Sequence, residues 1–118
     1  MVASAKEASE RIGAEEGVEV EWAVQWRIPA RPFHPELIEF AEAAIRETTG
    51  TAHRMPSGAL HDAAEMASAG IPTVMLFVQS LRGLSHTKEE DTRAEDLEAS
   101  VEALDRLTAK TIDWVSRL

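Results

Sequence analysis

The sequence contains no cysteine and no tyrosine, and its 12 lysines and arginines are outnumbered by 21 aspartates and glutamates. Without cysteine, disulfide bonds and thiolate metal sites are excluded. The net charge of −9 argues against a nucleic-acid partner, because phosphates are bound by clustered lysines and arginines. It argues equally against binding to an anionic membrane surface. We therefore expect neither nucleic acid nor membrane among the partners.

Long apolar runs are also missing. No stretch approaches the roughly 20 residues that a membrane-spanning helix requires. Charged residues interrupt residues 1–7 before the apolar core of a signal peptide could form. At 118 residues the chain is at most one modest domain, and 44% hydrophobic residues are enough to form its core. These features predict a cytoplasmic protein.

Four segments have the spacing of apolar residues that is typical of helices. They are residues 3–16, 35–49, 61–69 and 93–117. Gly17, Gly50 and Gly70 follow the first three, as glycine commonly does at the C-terminus of a helix. Thr92, with Glu95 three residues later, predicts a capping box at the start of the fourth.

Two segments predict β-strands. Residues 18–28 alternate apolar and polar side chains, which indicates a strand with one buried and one solvated face. Trp22 and Trp26 lie on the apolar face and need a large cover, so we expect part of this sheet to lie outside the chain. Residues 73–78 are continuously apolar, as in a strand covered on both faces. Together with the helices, these strands predict an α/β fold, and the proline-rich residues 29–35 predict a boundary within it.

His86 follows the second predicted strand and lies between Ser85 and Thr87. Loops after the carboxyl ends of strands are where α/β sheets commonly place ligands. A neutral imidazole there could bind zinc while a carboxylate, Glu89 or Glu90, orients its other nitrogen. The alternative is a solvated loop histidine in a polar segment.

His61 opens a predicted helix and is preceded by the small residues Ser57, Gly58 and Ala59. Small residues allow a ligand to approach the backbone, and free N–H groups at a helix start attract anions. The stretch could therefore receive a substrate carboxylate or an oxyanion. The alternative is simple helix capping with an exposed His61. For the other two histidines, His34 and His53, a structural role is expected.

In order and spacing these motifs resemble those of one enzyme family. RMPSGALHDAAEMA, GIPTVMLFVQS, GLSHTKEEDT and a long terminal helix are similar to the C-terminal part of the zinc-dependent amidohydrolases. That family includes N-carbamoyl-L-amino-acid hydrolases, allantoate amidohydrolases and β-ureidopropionases, and it is related to aminoacylase-type metallopeptidases. The similarity is strong over residues 54–92 and weak over residues 1–34.

The resemblance implies a two-domain enzyme of which this chain is a part. Residues 1–32 would be the last helix and strand of an inserted α/β lid and dimerisation domain. Residues 33–118 would be the C-terminal portion of a metallopeptidase-like (phosphorylase/hydrolase-like) catalytic α/β domain.

The resemblance also implies roles for individual residues. His86 would be a metal ligand, and Glu89 or Glu90 would support it from outside the coordination sphere. His61 would contact substrate near the scissile carbonyl, in a pocket lined by residues 57–59 (Ser57, Gly58 and Ala59). The family more often has glycine at the position of Leu60 and Ser-Pro at residues 87–88, which concerns the detailed pocket geometry.

The remaining metal ligands and the catalytic glutamate pair of the family are missing from this chain. The expected function is that of the C-terminal portion of an amidohydrolase acting on N-carbamoyl amino acids or ureido compounds such as allantoate. The complete enzyme would use zinc, manganese, nickel or cobalt, whereas the isolated chain is expected to bind metal weakly and to be inactive. The alternatives are a non-catalytic remnant that self-associates or docks on a partner, and an aminoacylase- or peptidase-type relative. The bare edge of an incomplete sheet predicts a homo-oligomer.

Overall fold

The computed structural model describes residues 2–25 and 27–118. In this part of the chain the helices are α1 (Val2–Glu16), α2 (Pro35–Thr49), α3 (Asp62–Ser68) and α4 (Ala94–Val115). A short 3₁₀ turn spans Leu81–Gly83. The chain divides into two compact units, residues 1–30 and residues 31–118. The division falls inside the proline-rich segment, while the domain assignment of each unit stays a prediction.

In the first unit, α1 ends at Glu16 and is followed by Gly17. Gly17 has φ 69°, a left-handed conformation that glycine adopts without steric cost. The chain then turns back, and the Val18 N–H donates a hydrogen bond to the Gly13 carbonyl at 2.9 Å. A Cβ at position 13 would lie 2.7 Å from Val20 Cγ2, so the close return of the chain requires glycine there. The helix predicted over residues 3–16 is confirmed.

The strand predicted over residues 18–28 is not present in its described part. Residues 18–25 and 27–28 belong to no helix or strand, and Trp26 lies outside the described residues. Trp22, expected to be buried, is 43% exposed, and its indole N–H donates to Ser9 Oγ at 2.6 Å. A strand exists only where a neighbour accepts and donates its backbone hydrogen bonds, and the described chain offers none to this segment.

The second unit is built on the contact between α2 and α4. Ala41 and Ala44 of α2 and Leu107 of α4 are buried against each other, and Phe40, Val74 and Leu76 pack on this cluster. Ala44 has no exposed surface, which shows how closely the two helices approach. At the edge of the contact, Lys110 Nζ lies 2.9 Å from Glu47 Oε1. The helix predicted over residues 35–49 is confirmed with both ends, including the left-handed Gly50 (φ 81°) after its last residue.

Two details of the predicted C-terminal helix are wrong. The N-cap of α4 is Arg93 rather than Thr92, and no side chain caps the helix, since arginine has no acceptor for the free N–H groups of the first turn. The Arg93 guanidinium instead pairs with Asp96 at 2.6 Å. The apolar residues expected to face a core are mostly exposed, and of them only Leu107 is buried. The exposed ones are Leu97, Val101, Leu104, Ile112 and Val115. Among the described helices only α2 packs against α4. One narrow stripe of the α4 surface is therefore buried, and the rest of that surface is exposed to solvent.

The α/β class is not confirmed by the structure. Residues 73–78, predicted as a buried strand, form no β-ladder, and the described residues contain helices and connecting segments only. Val74 and Leu76 nevertheless pack against the same cluster, and a spacing of two residues on one face is the periodicity of an extended chain. The segment is therefore extended like a strand, but no other strand lies beside it among the described residues.

Candidate functional site

Residues 57–59 and His61 meet in one tight turn. Ser57 Oγ accepts a hydrogen bond from the Ala59 N–H at 3.2 Å and lies 3.1 Å from the Ala59 carbonyl oxygen. The Nε2 atom of His61 lies 2.9 Å from the same Ser57 Oγ. Gly58, at the tip, has open space around the position of a Cβ, so the local fold does not demand glycine there. The serine hydroxyl therefore fixes both the turn and the position of the imidazole.

His61 stands at the junction between this turn and α3. Its backbone is extended (φ −132°, ψ 150°) and its carbonyl accepts the Ala64 N–H at 2.9 Å, so it is the N-cap residue without a capping side chain. The ring faces the ring of Phe77 edge-on, with centroids 6.2 Å apart. Asp62 and Glu65 place two carboxylates in the first turn of α3, where they compete with any anion for the helix start.

His86 lies in a second, separate loop and has a left-handed backbone, with φ 59°. Such a conformation costs a residue other than glycine about 1 kcal/mol or more. The His86 N–H donates to Glu90 Oε2 at 2.7 Å, and the Glu90 N–H donates to the Thr87 carbonyl at 3.2 Å. These two bonds close the loop and leave the imidazole exposed.

The two glutamates after His86 make different contacts. Glu90 holds the loop through the backbone of His86 rather than through its ring. The Glu89 carboxylate lies 3.7 Å from Lys88 Nζ, and both side chains are more than half exposed. In the described structure Glu90 is therefore a loop-forming residue, and Glu89 belongs to a solvated ion pair of small energetic value.

The described residues do not assemble a metal-binding cluster. Over residues 2–25 and 27–118, no three histidine, aspartate or glutamate side chains lie in an arrangement that could hold a metal ion. An open apolar groove lies between α2, α4 and residues 72–74, and it is lined by neither His61 nor His86. His86 is thus a candidate for one ligand of a centre whose other ligands this part of the chain does not provide.

Sequence reasoning missed the contacts that hold the loop before Ser57. Arg54 donates from Nε to Glu42 Oε2 at 2.7 Å and from Nη2 to Glu39 Oε1 at 2.7 Å, which ties the loop to α2. The hydrogen bond from Arg54 is the main reason that the pKa of Glu42 is lowered from its ordinary value of 4.5. The sequence did contain a signal for these contacts. Two glutamates lie three residues apart on α2, and one arginine follows in the next loop.

His34 also has surroundings that the sequence did not disclose. It is the N-cap residue of α2, and its N–H donates to the Thr73 carbonyl at 3.0 Å. Its ring lies 5.2 Å from the ring of Trp114, and its Nδ1 atom is buried without a hydrogen-bond partner among the described residues. The contacts of His34 thus join α2, α4 and the segment that begins at Thr73.

Comparison with known proteins places the chain in a family. The sequence model of peptidase family M20/M25/M40 matches residues 3–110. The chain belongs to this family. It is 33% identical over 97 residues to a putative hydrolase of Mycolicibacterium smegmatis, a match that covers 82% of this chain and 22% of that protein. It is 39% identical over 84 residues to an allantoate amidohydrolase of Bacillus subtilis, which covers 71% of this chain and 20% of that protein.

A third relative has a less specific name. An uncharacterised hydrolase of Haemophilus influenzae is 38% identical over 73 residues, which is 56% of this chain and 18% of that protein. This M20-family chain therefore spans about a fifth of the length of the curated relatives it matches. No solved structure matches it significantly. Among the described residues, every helix is too short or too polar to cross a membrane.

The first prediction concerns the Arg54 contacts. Arg54→Gln should raise the pKa of Glu42 back toward its ordinary value, because the hydrogen bond that favours the charged carboxylate is lost. Arg46→Gln should raise it less, because Arg46 contributes the smallest of the lowering effects. Carboxyl-detected NMR titration would measure both pKa values.

The lowered pKa of Glu42 also makes stability depend on pH. Since a lowered pKa stabilises the fold only while the carboxylate is charged, this contribution is lost as the pH falls below about 4.5. An unchanged Glu42 pKa in Arg54→Gln would contradict the assignment.

The second prediction concerns the loop of His86. Glu90→Ala should expose the His86 amide to solvent and accelerate its hydrogen exchange by about tenfold, the effect of losing roughly 1.4 kcal/mol. Glu90→Gln keeps an acceptor oxygen and should restore most of the protection. Glu89→Ala, which removes a neighbouring carboxylate, serves as the control and should leave the exchange unchanged. Equal acceleration in Glu89→Ala and Glu90→Ala would show that the loop is held in another way.

Proposed function

We propose that this chain is the C-terminal portion of a metal-dependent amidohydrolase. The complete enzyme would hydrolyse linear C–N amide bonds of N-carbamoyl amino acids or of ureido compounds such as allantoate. Family membership supports the hydrolytic class, and a relative named allantoate amidohydrolase supports the substrate class. The observation that carries the proposal is the turn in which Ser57 Oγ holds His61 Nε2 at 2.9 Å, because it presents an imidazole beside small residues.

In this proposal each loop supplies a different part of the site. His61 contacts the substrate next to the scissile carbonyl, with residues 57–59 forming the adjoining wall of the pocket. An imidazole N–H directed at a carbonyl oxygen can stabilise the charge that develops there during hydrolysis. His86 is a metal ligand, and its exposed imidazole leaves its ring nitrogens accessible. Glu90 holds the backbone of His86, so that its ring is presented from a fixed loop.

The residues of this chain do not by themselves fit a metal centre. A zinc site needs three or four protein ligands, and the described residues bring no three candidate ligands together. Zinc, manganese, nickel or cobalt, any of which could serve the complete enzyme, would polarise the amide carbonyl and activate a water molecule. We accordingly propose that the chain alone binds metal weakly and hydrolyses no amide.

Two other functions are tied to specific observations. Exposed apolar side chains on α4 and around Phe77 favour a non-catalytic module that associates with itself or with a partner. The matching family is named for peptidases, which supports an aminoacylase- or peptidase-type substrate as the other alternative. We prefer the amidohydrolase because the allantoate amidohydrolase relative is 39% identical over 84 residues, which is 71% of this chain.

The test is a chimeric enzyme. The stretch of the Bacillus subtilis allantoate amidohydrolase that matches this chain would be replaced by the residues found here. We expect hydrolysis of allantoate or of an N-carbamoyl amino acid to persist. His86→Gly should then lower activity by about hundredfold or more, since even residues that only support metal ligands are worth 10–100-fold. Glycine is chosen because it accepts the left-handed backbone of His86 and removes only the imidazole.

The controls separate the roles of the histidines. His61→Ala should reduce activity while leaving metal content unchanged, whereas His86→Gly should reduce both. His53→Ala, at an exposed histidine that precedes the turn of residues 57–59 and lies outside the His86 loop, should change neither. A folded chimera that cleaves only N-acyl amino acids or dipeptides would favour the aminoacylase- or peptidase-type reading. A folded chimera without activity on any of these substrates, or a fully active His86→Gly variant, would contradict the proposal.

A further inference from the structure

The hydroxyl of Ser57 has three polar neighbours, and two of them fix where its single proton lies. The Ala59 N–H lies 3.2 Å from Ser57 Oγ and can only donate to it. The Ala59 carbonyl oxygen lies 3.1 Å from Oγ and can only accept, so it takes the hydroxyl proton. In the described chain no backbone N–H donates to this carbonyl. A hydroxyl proton directed elsewhere would therefore leave two oxygen lone pairs facing each other, which is unfavourable.

The third neighbour of the hydroxyl is the ring of His61, whose Nε2 atom lies 2.9 Å from Ser57 Oγ. After Oγ has accepted the Ala59 N–H and donated to the Ala59 carbonyl, it has one lone pair left. Only an N–H can use that lone pair, so Nε2 carries the proton of the neutral imidazole. The hydroxyl then accepts two hydrogen bonds and donates one, which is its full capacity.

The other ring nitrogen of His61, Nδ1, remains an acceptor that is open to a ligand. Among the described residues no group bonds to it, and it is not buried, because the one buried and unpartnered side-chain nitrogen or oxygen there is Nδ1 of His34. At the tip of the same turn, Gly58 leaves open space around the position of a Cβ. The neutral ring therefore presents a lone pair, and it can donate to a carbonyl oxygen only after a second proton has bound to Nδ1. A neutral His61 is thus suited to bind an N–H group.

We propose that Ser57 is a positioning residue that commits the Nε2–H of His61, so that Nδ1 accepts an N–H of the substrate's ureido group. The inference rests on the proposed function and names the contact that selects the substrate. A ureido group carries a terminal amino group where an acetyl group carries a methyl group of similar size. A site that offers an acceptor to a substrate N–H discriminates against an analogue without it, whereas a purely apolar pocket separates such analogues poorly. Ser57, acting through His61, therefore favours ureido substrates over acyl ones.

Nitrogen-15 NMR of the purified chain measures the tautomer and requires no enzymatic activity. At about pH 9, where histidine is ordinarily neutral, we expect His61 to carry its proton on Nε2 alone. The exposed His53 should show a mixture of both tautomers and serves as an internal reference. Ser57→Ala should return His61 to the mixture seen at His53, whereas Ser57→Thr keeps the hydroxyl and should preserve the single tautomer. Ser68→Ala is the matched control, because the Ser68 hydroxyl bonds to the Ala64 carbonyl and not to the ring.

Two results of this measurement would overturn the proposal. A proton on Nδ1 of His61 in the parent chain would mean that the hydroxyl donates to the ring, so that Nδ1 could not accept a substrate N–H. The same tautomer ratio in Ser57→Ala as in the parent chain would mean that the hydroxyl does not set the tautomer.

The chimeric enzyme tests the selectivity. Its kcat/KM for a ureido substrate would be compared with that for the acetyl analogue, in which a methyl group replaces the terminal amino group. Ser57→Ala should lower this ratio by about tenfold, the size of one hydrogen bond, and leave the metal content unchanged. Ser57→Thr and Ser68→Ala should keep the ratio. An active chimera whose ratio is unaffected by Ser57→Ala would contradict this inference alone, whereas a chimera inactive on every substrate would contradict the proposed function on which it rests.

Discussion

Helices α2 and α4 pack against each other through Ala41, Ala44 and Leu107, and the candidate site depends on this contact. Small side chains on α2 allow the two helices to approach closely, and Val74 and Leu76 pack on the resulting cluster. Because Phe77 follows directly and touches the ring of His61, the position of that ring is tied to the helix pair. The core therefore does more than stabilise the second unit, since it also sets the position of His61.

A second set of contacts reaches the same turn from the other side. Glu39 and Glu42 on the exposed face of α2 hold Arg54, three residues before Ser57. Both side chains of the Arg54–Glu39 pair are more than half exposed, so its own contribution to stability is small. The pair instead helps to position His61, because Arg54 and the Ser57 hydroxyl together restrict the conformation of the loop that precedes this histidine.

The helices could be predicted from the sequence because their signals are local. Gly17, Gly50 and Pro35 mark helix ends through their own backbone preferences, whatever surrounds them. Strands 18–28 and 73–78 could not be obtained in the same way, since an apolar pattern describes a strand only if other strands flank it. The matched stretches cover only about a fifth of the relatives, and the described part of this chain places no strand beside either segment.

The candidate site was predictable in composition but not in detail. The sequence pattern pointed to His61, His86 and residues 57–59. It could not reveal that Glu90 binds the backbone of His86, or that Arg54 bridges to α2, because both depend on how loops fold back on their neighbours. The capping box predicted at Thr92 is absent because the helix begins one residue later, with Arg93 as its N-cap.

The described residues of this chain, His86 included, do not by themselves complete a metal centre. Zinc titration of the purified chain by isothermal calorimetry, beside the His86→Gly variant, tests it most directly. We expect only weak binding, with His86→Gly scarcely different, because one imidazole cannot hold zinc tightly. Tight, stoichiometric binding that disappears in His86→Gly would contradict it, since the chain would then assemble a complete centre from its own residues.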